Sequence, residues 1–113
     1  MHETIVSFAS AGADVRAIVH RPDVDRPLPG VVMVAGAGEV TAEDWDGRPA
    51  MIASCGAVVL SHDKPGCGES SGDWRSQSFL DRAHETLAAH ALLRDQSGVD
   101  PERVGLHCVS QGG

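Results

Sequence analysis

The chain has 113 residues, enough for at most one domain and for a real hydrophobic core. Its hydrophobic content of 42% is that of a globular protein, which argues against disorder and against a membrane-embedded chain. A formal net charge of −7, from 16 acidic and 9 basic residues with no basic cluster, argues against a nucleic-acid partner.

In chain order, residues 3–9 and 14–20 read as two strands. Val6 and Phe8 alternate with Ile5 and Ser7, and Val15, Ala17 and Val19 alternate with Arg16, Ile18 and His20. Ala11-Gly12-Ala13-Asp14 supplies turn chemistry between them and predicts an antiparallel hairpin. Residues 21–29, with Pro22, Pro27 and Pro29, read as a loop. Gly30 to Ala35 is continuously apolar and Val-rich, the pattern of a strand buried on both faces in a parallel sheet. Gly36-Ala37-Gly38 breaks it. Thr41 with Asp44 has capping-box spacing, but Gly47 and Pro49 interrupt. A short helix is therefore expected from about Pro49 to Cys55, stopped by Gly56.

Ala57 to Ser61 is a second buried strand, followed by a glycine-rich loop from Asp63 to Gly72. In that loop Gly66 and Gly68 mark positions that need a positive φ or close packing. Ser78 with Asp81 fits a capping box. The helix it opens has an apolar stripe of Phe79, Leu80, Ala83, Leu87, Ala88 and Ala91, expected to face the sheet, and Gly98 is expected to end it. Asp100-Pro101 predicts a tight turn into a third buried strand, 103–109. Strands alternating with helices after a hairpin mean an α/β fold: parallel strands, right-handed crossovers and helices on both faces.

The last strand climbs to Ser110-Gln111-Gly112-Gly113. A serine presented at a sharp strand-to-helix turn, with small residues two before and two after, is a nucleophile elbow. Ser110 is then the candidate nucleophile. The Gln111 backbone N–H is one oxyanion donor, and the Ala37 N–H, from the turn after the first buried strand, is the second. Cys108 stands where the elbow usually has its first glycine, and is expected to be a small, buried, inert thiol.

Three segments in order, Val32–Gly38, Asp63-Lys64-Pro65-Gly66-Cys67-Gly68-Glu69-Ser70, and Val99 through Gly113, carry a family resemblance. The chain resembles the N-terminal part of an α/β-hydrolase-fold serine hydrolase, most like esterases, dienelactone-hydrolase-like enzymes and prolyl-oligopeptidase or serine-aminopeptidase-like domains. The middle segment is similar to the family's D-x-R-G-x-G-x-S loop, with Pro65 where arginine is common. The resemblance implies that residues 1–113 are the N-terminal portion of a single domain whose C-terminal half, with the catalytic acid and histidine, is absent. It implies serine-dependent acyl transfer on a small-molecule ester, a thioester or a peptide bond, and no meaningful activity for the isolated chain.

Other groups receive structural expectations. His107 alternates to the face opposite Ser110, while His84 and His90 fall on the surface or boundary of the long helix. His62 and Asp63 end the second buried strand on the ligand-binding rim, where Asp63 is expected to bond the glycine-rich loop. Trp45 and Trp74 plug the core from loops or line an acyl pocket. No histidine or cysteine spacing suits a metal, and no cofactor is expected. Three unpaired-looking cysteines, an N-terminus without a signal-peptide pattern and strand-length apolar runs predict a cytoplasmic protein that is not inserted in a membrane. Two rival readings are a non-catalytic binding protein on the same fold and, from Gly36-Ala37-Gly38, a dinucleotide site that lacks its third glycine at Thr41. Oligomeric state is not legible.

Overall fold

Alternation in the first twenty residues produces the expected hairpin. Strands β1 (His2–Ser10) and β2 (Ala13–Arg21) pair antiparallel from His2↔Arg21 to Ser10↔Ala13. The two-residue turn Ala11-Gly12 has φ of 47° and 81°, the left-handed geometry that matches the twist of a tight hairpin. These elements belong to a computed structural model that describes residues 1–36 and 38–108.

The Val-rich runs form β3 (Leu28–Val34) and β4 (Val58–His62), parallel to each other. Every residue of β4 is buried, as a strand covered on both faces requires. Between them lies α1 (Arg48–Ser54), with Pro49 in its first turn, where a missing N–H costs nothing. Asp44 accepts from the Thr41 N–H at 2.9 Å, but that pair closes a turn well before the helix instead of opening it. The sheet order is β1-β2-β4-β3-β5, with β5 (Val99–Cys108) parallel to β3. The chain steps from β3 to β4 in one direction and then crosses back over β3 to β5. Two crossovers of one hand travelling in opposite directions put their helices on opposite faces.

The core reflects this. On one face, Ala89 and Leu93 of α2 (Phe79–Arg94) pack with Ala17, Val19, Val32, Val58 and Leu60. On the other, Ala53 of α1 packs with Met33, Ala35, Trp45 and Val59. Gly30 lets α2 come close: a Cβ there would lie 3.0 Å from Leu93 Cδ2.

Two sequence expectations are corrected. The third parallel strand starts at Val99, not 103, and it is not the buried strand expected: only Val99 in it is buried, and the expected Asp100-Pro101 turn survives inside it as an irregularity between the Leu28↔Val99 and Gly30↔Val104 pairs. There the Asp100 carboxylate accepts from the Glu102 N–H at 3.0 Å and Arg103 Nε at 2.8 Å. The larger correction concerns α2. Its Ser78–Asp81 capping box forms as expected, yet the expected stripe faces outward. Phe79 is 82% exposed and Leu87 63%, whereas Glu85, Ala89 and Leu93 are buried. Polar partners on the sheet decide the rotation. His62 takes Glu85, and the Ala35 carbonyl takes Arg82, so the face that carries both must turn inward.

Candidate active site at the carboxyl edge of the sheet

Because β3, β4 and β5 are parallel, their carboxyl ends share one edge, and the loops after β3 and β4 meet there. The carboxyl edge of such strands is the place where open α/β sheets bind ligands. Ser110 and Gln111, and Ala37 in the turn after β3, lie outside the described residues. β5 is described as far as Cys108, two residues short of Ser110, in register with Val34.

Cys108 is exposed, not buried as expected. β5 is an outer strand of the described sheet, and Leu106 on the same face is also 51% exposed.

The turn after β3 is held from behind. Lys64, directly after β4, donates from Nζ to the Gly36 carbonyl at 2.7 Å and the Gly38 carbonyl at 2.9 Å. Arg82 Nη2 donates to the Ala35 carbonyl at 2.7 Å and reaches the Gly36 carbonyl at 3.4 Å. The Trp74 ring covers the ammonium at 5.1 Å from its centroid. Lys64 is the only lysine in the sequence, and it is buried. Burial, and then the neighbouring Arg82 charge, push its pKa below the ordinary value, against a smaller pull from Glu85. Sequence reasoning gave Lys64 no role; a sole lysine placed immediately after a fully buried strand was the available signal.

Asp63 does what was expected of it. Its fully buried carboxylate accepts from the Ala42 N–H at 2.7 Å and the Glu69 N–H at 2.9 Å, with Arg16 Nη1 at 3.4 Å. It thereby ties the loop after β3 to the loop after β4. Gly68 has φ 51°, and a side chain there would overlap the Asp63 carboxylate, so the glycine is required on both counts.

Below this rim His62 Nε2 lies 2.6 Å from Glu85 Oε2, and Gln77 Nε2 donates to Glu85 Oε1 at 2.7 Å. Phe8 closes edge-on over His62 at 5.8 Å. Burial pushes the Glu85 carboxyl up, but the hydrogen bond and charge of His62, then Gln77 and Arg82, outweigh it and hold the pKa below the ordinary value. A histidine–carboxylate pair so enclosed joins α2 to β4.

The other histidines and the tryptophans are also placed. His84 is exposed on α2, and His90 Nε2 approaches the Val104 carbonyl at 3.3 Å. His107 pairs in register with Met33, on the α1 face. Trp45 is a core plug against Met33 and Ala53, while Trp74 is half-buried over Lys64. The glycines after β3 do not lead into a helix: α1 begins at Arg48, which removes the helix N-terminus that a dinucleotide fingerprint needs.

The chain matches no family profile and no curated protein. Solved structures do match. The hypothetical protein PA2218 from Pseudomonas aeruginosa superposes with a TM-score of 0.81 at 26% identity, over 93% of this chain and 34% of that one. The alpha/beta hydrolase GrgF from Penicillium sp. sh18 gives 0.80 at 18% identity, over 94% and 37%. Est1E from Butyrivibrio proteoclasticus, solved with ferulic acid bound, gives 0.76 at 15% identity, over 89% and 41%. The chain spans 34–41% of the length of these structures.

Proposed function

We propose that this chain, whose fold is that of the N-terminal part of the α/β hydrolases, supplies the nucleophile and the oxyanion donors of a serine hydrolase. In this reading Ser110 attacks the carbonyl carbon of an ester, thioester or peptide bond. The N–H groups of Gln111 and Ala37 receive the oxyanion as the tetrahedral intermediate forms. Each such donor is worth about 3 kcal/mol of barrier.

The observation that supports this most directly is the clamp on the turn after β3. Lys64 and Arg82 draw the Gly36 carbonyl to one side. Two cations on that carbonyl fix the end of β3 from which the proposed Ala37 donor would be presented. A buried ammonium bonded to carbonyls is costly to keep for packing alone, since an apolar side chain would fill the space more cheaply. A hydrolase needs this turn rigid before the charge develops.

His62 is bonded to Glu85, His20 is buried, and His90 is against the Val104 carbonyl. In this reading none of these serves as the general base. The base and its acid belong to the remainder of the catalytic machinery, and the 113-residue chain alone is expected to hydrolyse p-nitrophenyl acetate no faster than its Ser110→Ala variant.

The test of the function is a fluorophosphonate probe applied to the protein that contains this segment together with a histidine base. Labelling that Ser110→Ala abolishes supports the proposal. Labelling that persists in Ser110→Ala, or esterase turnover above about a thousandth of wild type, refutes it.

A further inference from the structure

Three of the nine basic side chains, Lys64, Arg75 and Arg82, line one pocket of about 400 Å3, and no acidic side chain lines it. Trp74, Gln77 and Phe79 complete most of the wall. In a chain of net charge −7 this is a local reversal of sign.

The charges are poorly neutralised. Among the described residues, Lys64 and Arg82 form no ion pair; both instead share the Gly36 carbonyl. The acid they feel, Glu85, is already bonded to His62 and Gln77. Arg75 meets Glu39 at 3.7 Å with both side chains about 70% exposed, a pairing that an incoming anion can replace at little cost. Like charges gathered at reduced dielectric are stabilised by an anion between them.

The geometry also selects the anion. Arg82 bonds the turn through Nη2, and among the described residues its Nη1 and Nε have no bonded acceptor and are left to donate to a carboxylate oxygen. Phe79, 82% exposed at the pocket wall, offers an apolar surface to the body of the same molecule. The volume falls in the range of small-molecule sites. We propose that this pocket binds the carboxylate of a small organic acid, held by Arg82 and Arg75 with the Lys64 charge behind them.

The site does not depend on Ser110 being a nucleophile, and its test reads binding, not turnover. The full 113-residue chain, labelled with 15N, is titrated with benzoate and with benzamide, its neutral counterpart. The two indole N–H signals are assigned by Trp74→Phe. Benzoate is expected to shift the Trp74 signal saturably while leaving that of the core residue Trp45 in place, and benzamide to shift neither. Arg82→Met is expected to weaken benzoate binding about tenfold or more, the loss of a charge-assisted bond. Arg75→Ala, at an exposed position that does not threaten folding, is expected to weaken it about threefold, and added salt to weaken it further.

The absence of a saturable Trp74 shift overturns the proposal. So does benzamide binding as well as benzoate, or wild-type affinity in Arg75→Ala when Arg82→Met does not fold. Inorganic phosphate displacing benzoate with higher affinity overturns the carboxylate assignment.

Discussion

The two crossover helices cover the same sheet by opposite means. Among the described residues, α1 meets its face through apolar contact, with Ala53 against Met33, Trp45 and Val59. α2 buries Ala89 and Leu93, but it also carries Glu85 and Arg82 inward and leaves Phe79, Leu80 and Leu87 in solvent. Hydrophobicity is enough to make a helix cover a sheet. Where the sheet presents a histidine ring and free carbonyls, the need to satisfy buried polar groups chooses the face.

The sharpest way to break this contrast is Glu85→Ala. It leaves His62 and Gln77 without their shared partner in the interior, and a loss of about 3–5 kcal/mol is expected in urea unfolding. A loss below about 1 kcal/mol would mean that apolar contact holds α2 as it holds α1. On the α1 side, Met33→Ala removes an almost fully buried side chain and should cost about 2–4 kcal/mol with no change in pH dependence. Gly68→Ala tests the rim above both helices. Its left-handed φ and its contact with Asp63 predict a loss of about 2–3 kcal/mol, read by the same unfolding curves.

Acid should act on both faces of the sheet, first at His20, in register with Val59 on the α1 face, and then at Glu85 on the α2 face. Burial holds the His20 pKa below its ordinary 6.5, against a smaller opposing effect of Glu3. The unfolded chain therefore binds the proton more readily, and stability is full above about pH 6.5 and falls as pH drops through the folded pKa. Glu85 has the same sign at lower pH: its carboxyl is held below the ordinary 4.5, so its contribution is present above that value and is lost on further acidification. The melting temperature should fall in two stages between pH 7 and pH 3, and His20→Gln should remove the upper one. A melting temperature that rises on acidification over this range would reverse both assignments.

The smallest effect separates the two faces of α2. Leu87→Gln, at 63% exposure, should change stability by no more than about 0.5 kcal/mol. A loss of several kcal/mol there would put the apolar stripe back against the sheet.

Local chemistry was enough for much of this protein. Period-two alternation and the Ala11-Gly12 turn determined the hairpin, and the Val-rich run from Ala57 to Ser61 marked β4 as a buried strand, although the same reading failed for the exposed β5. The Ser78–Asp81 spacing located the start of α2, and Asp63 could be assigned to its loop, because each of these rests on residues a few positions apart. The candidate nucleophile Ser110 and the donors Ala37 and Gln111 were legible as a pattern, but lie outside the described residues. Tertiary structure decided what depends on distant partners. It turned α2 so that Glu85 meets His62, 23 residues away, and placed the one lysine under the Gly36–Gly38 turn, 28 and 26 residues away. It also left Cys108 open on an outer strand. Hydrophobic periodicity counts apolar side chains along one helix, and it carries no information about a polar group waiting on the surface that the helix will meet.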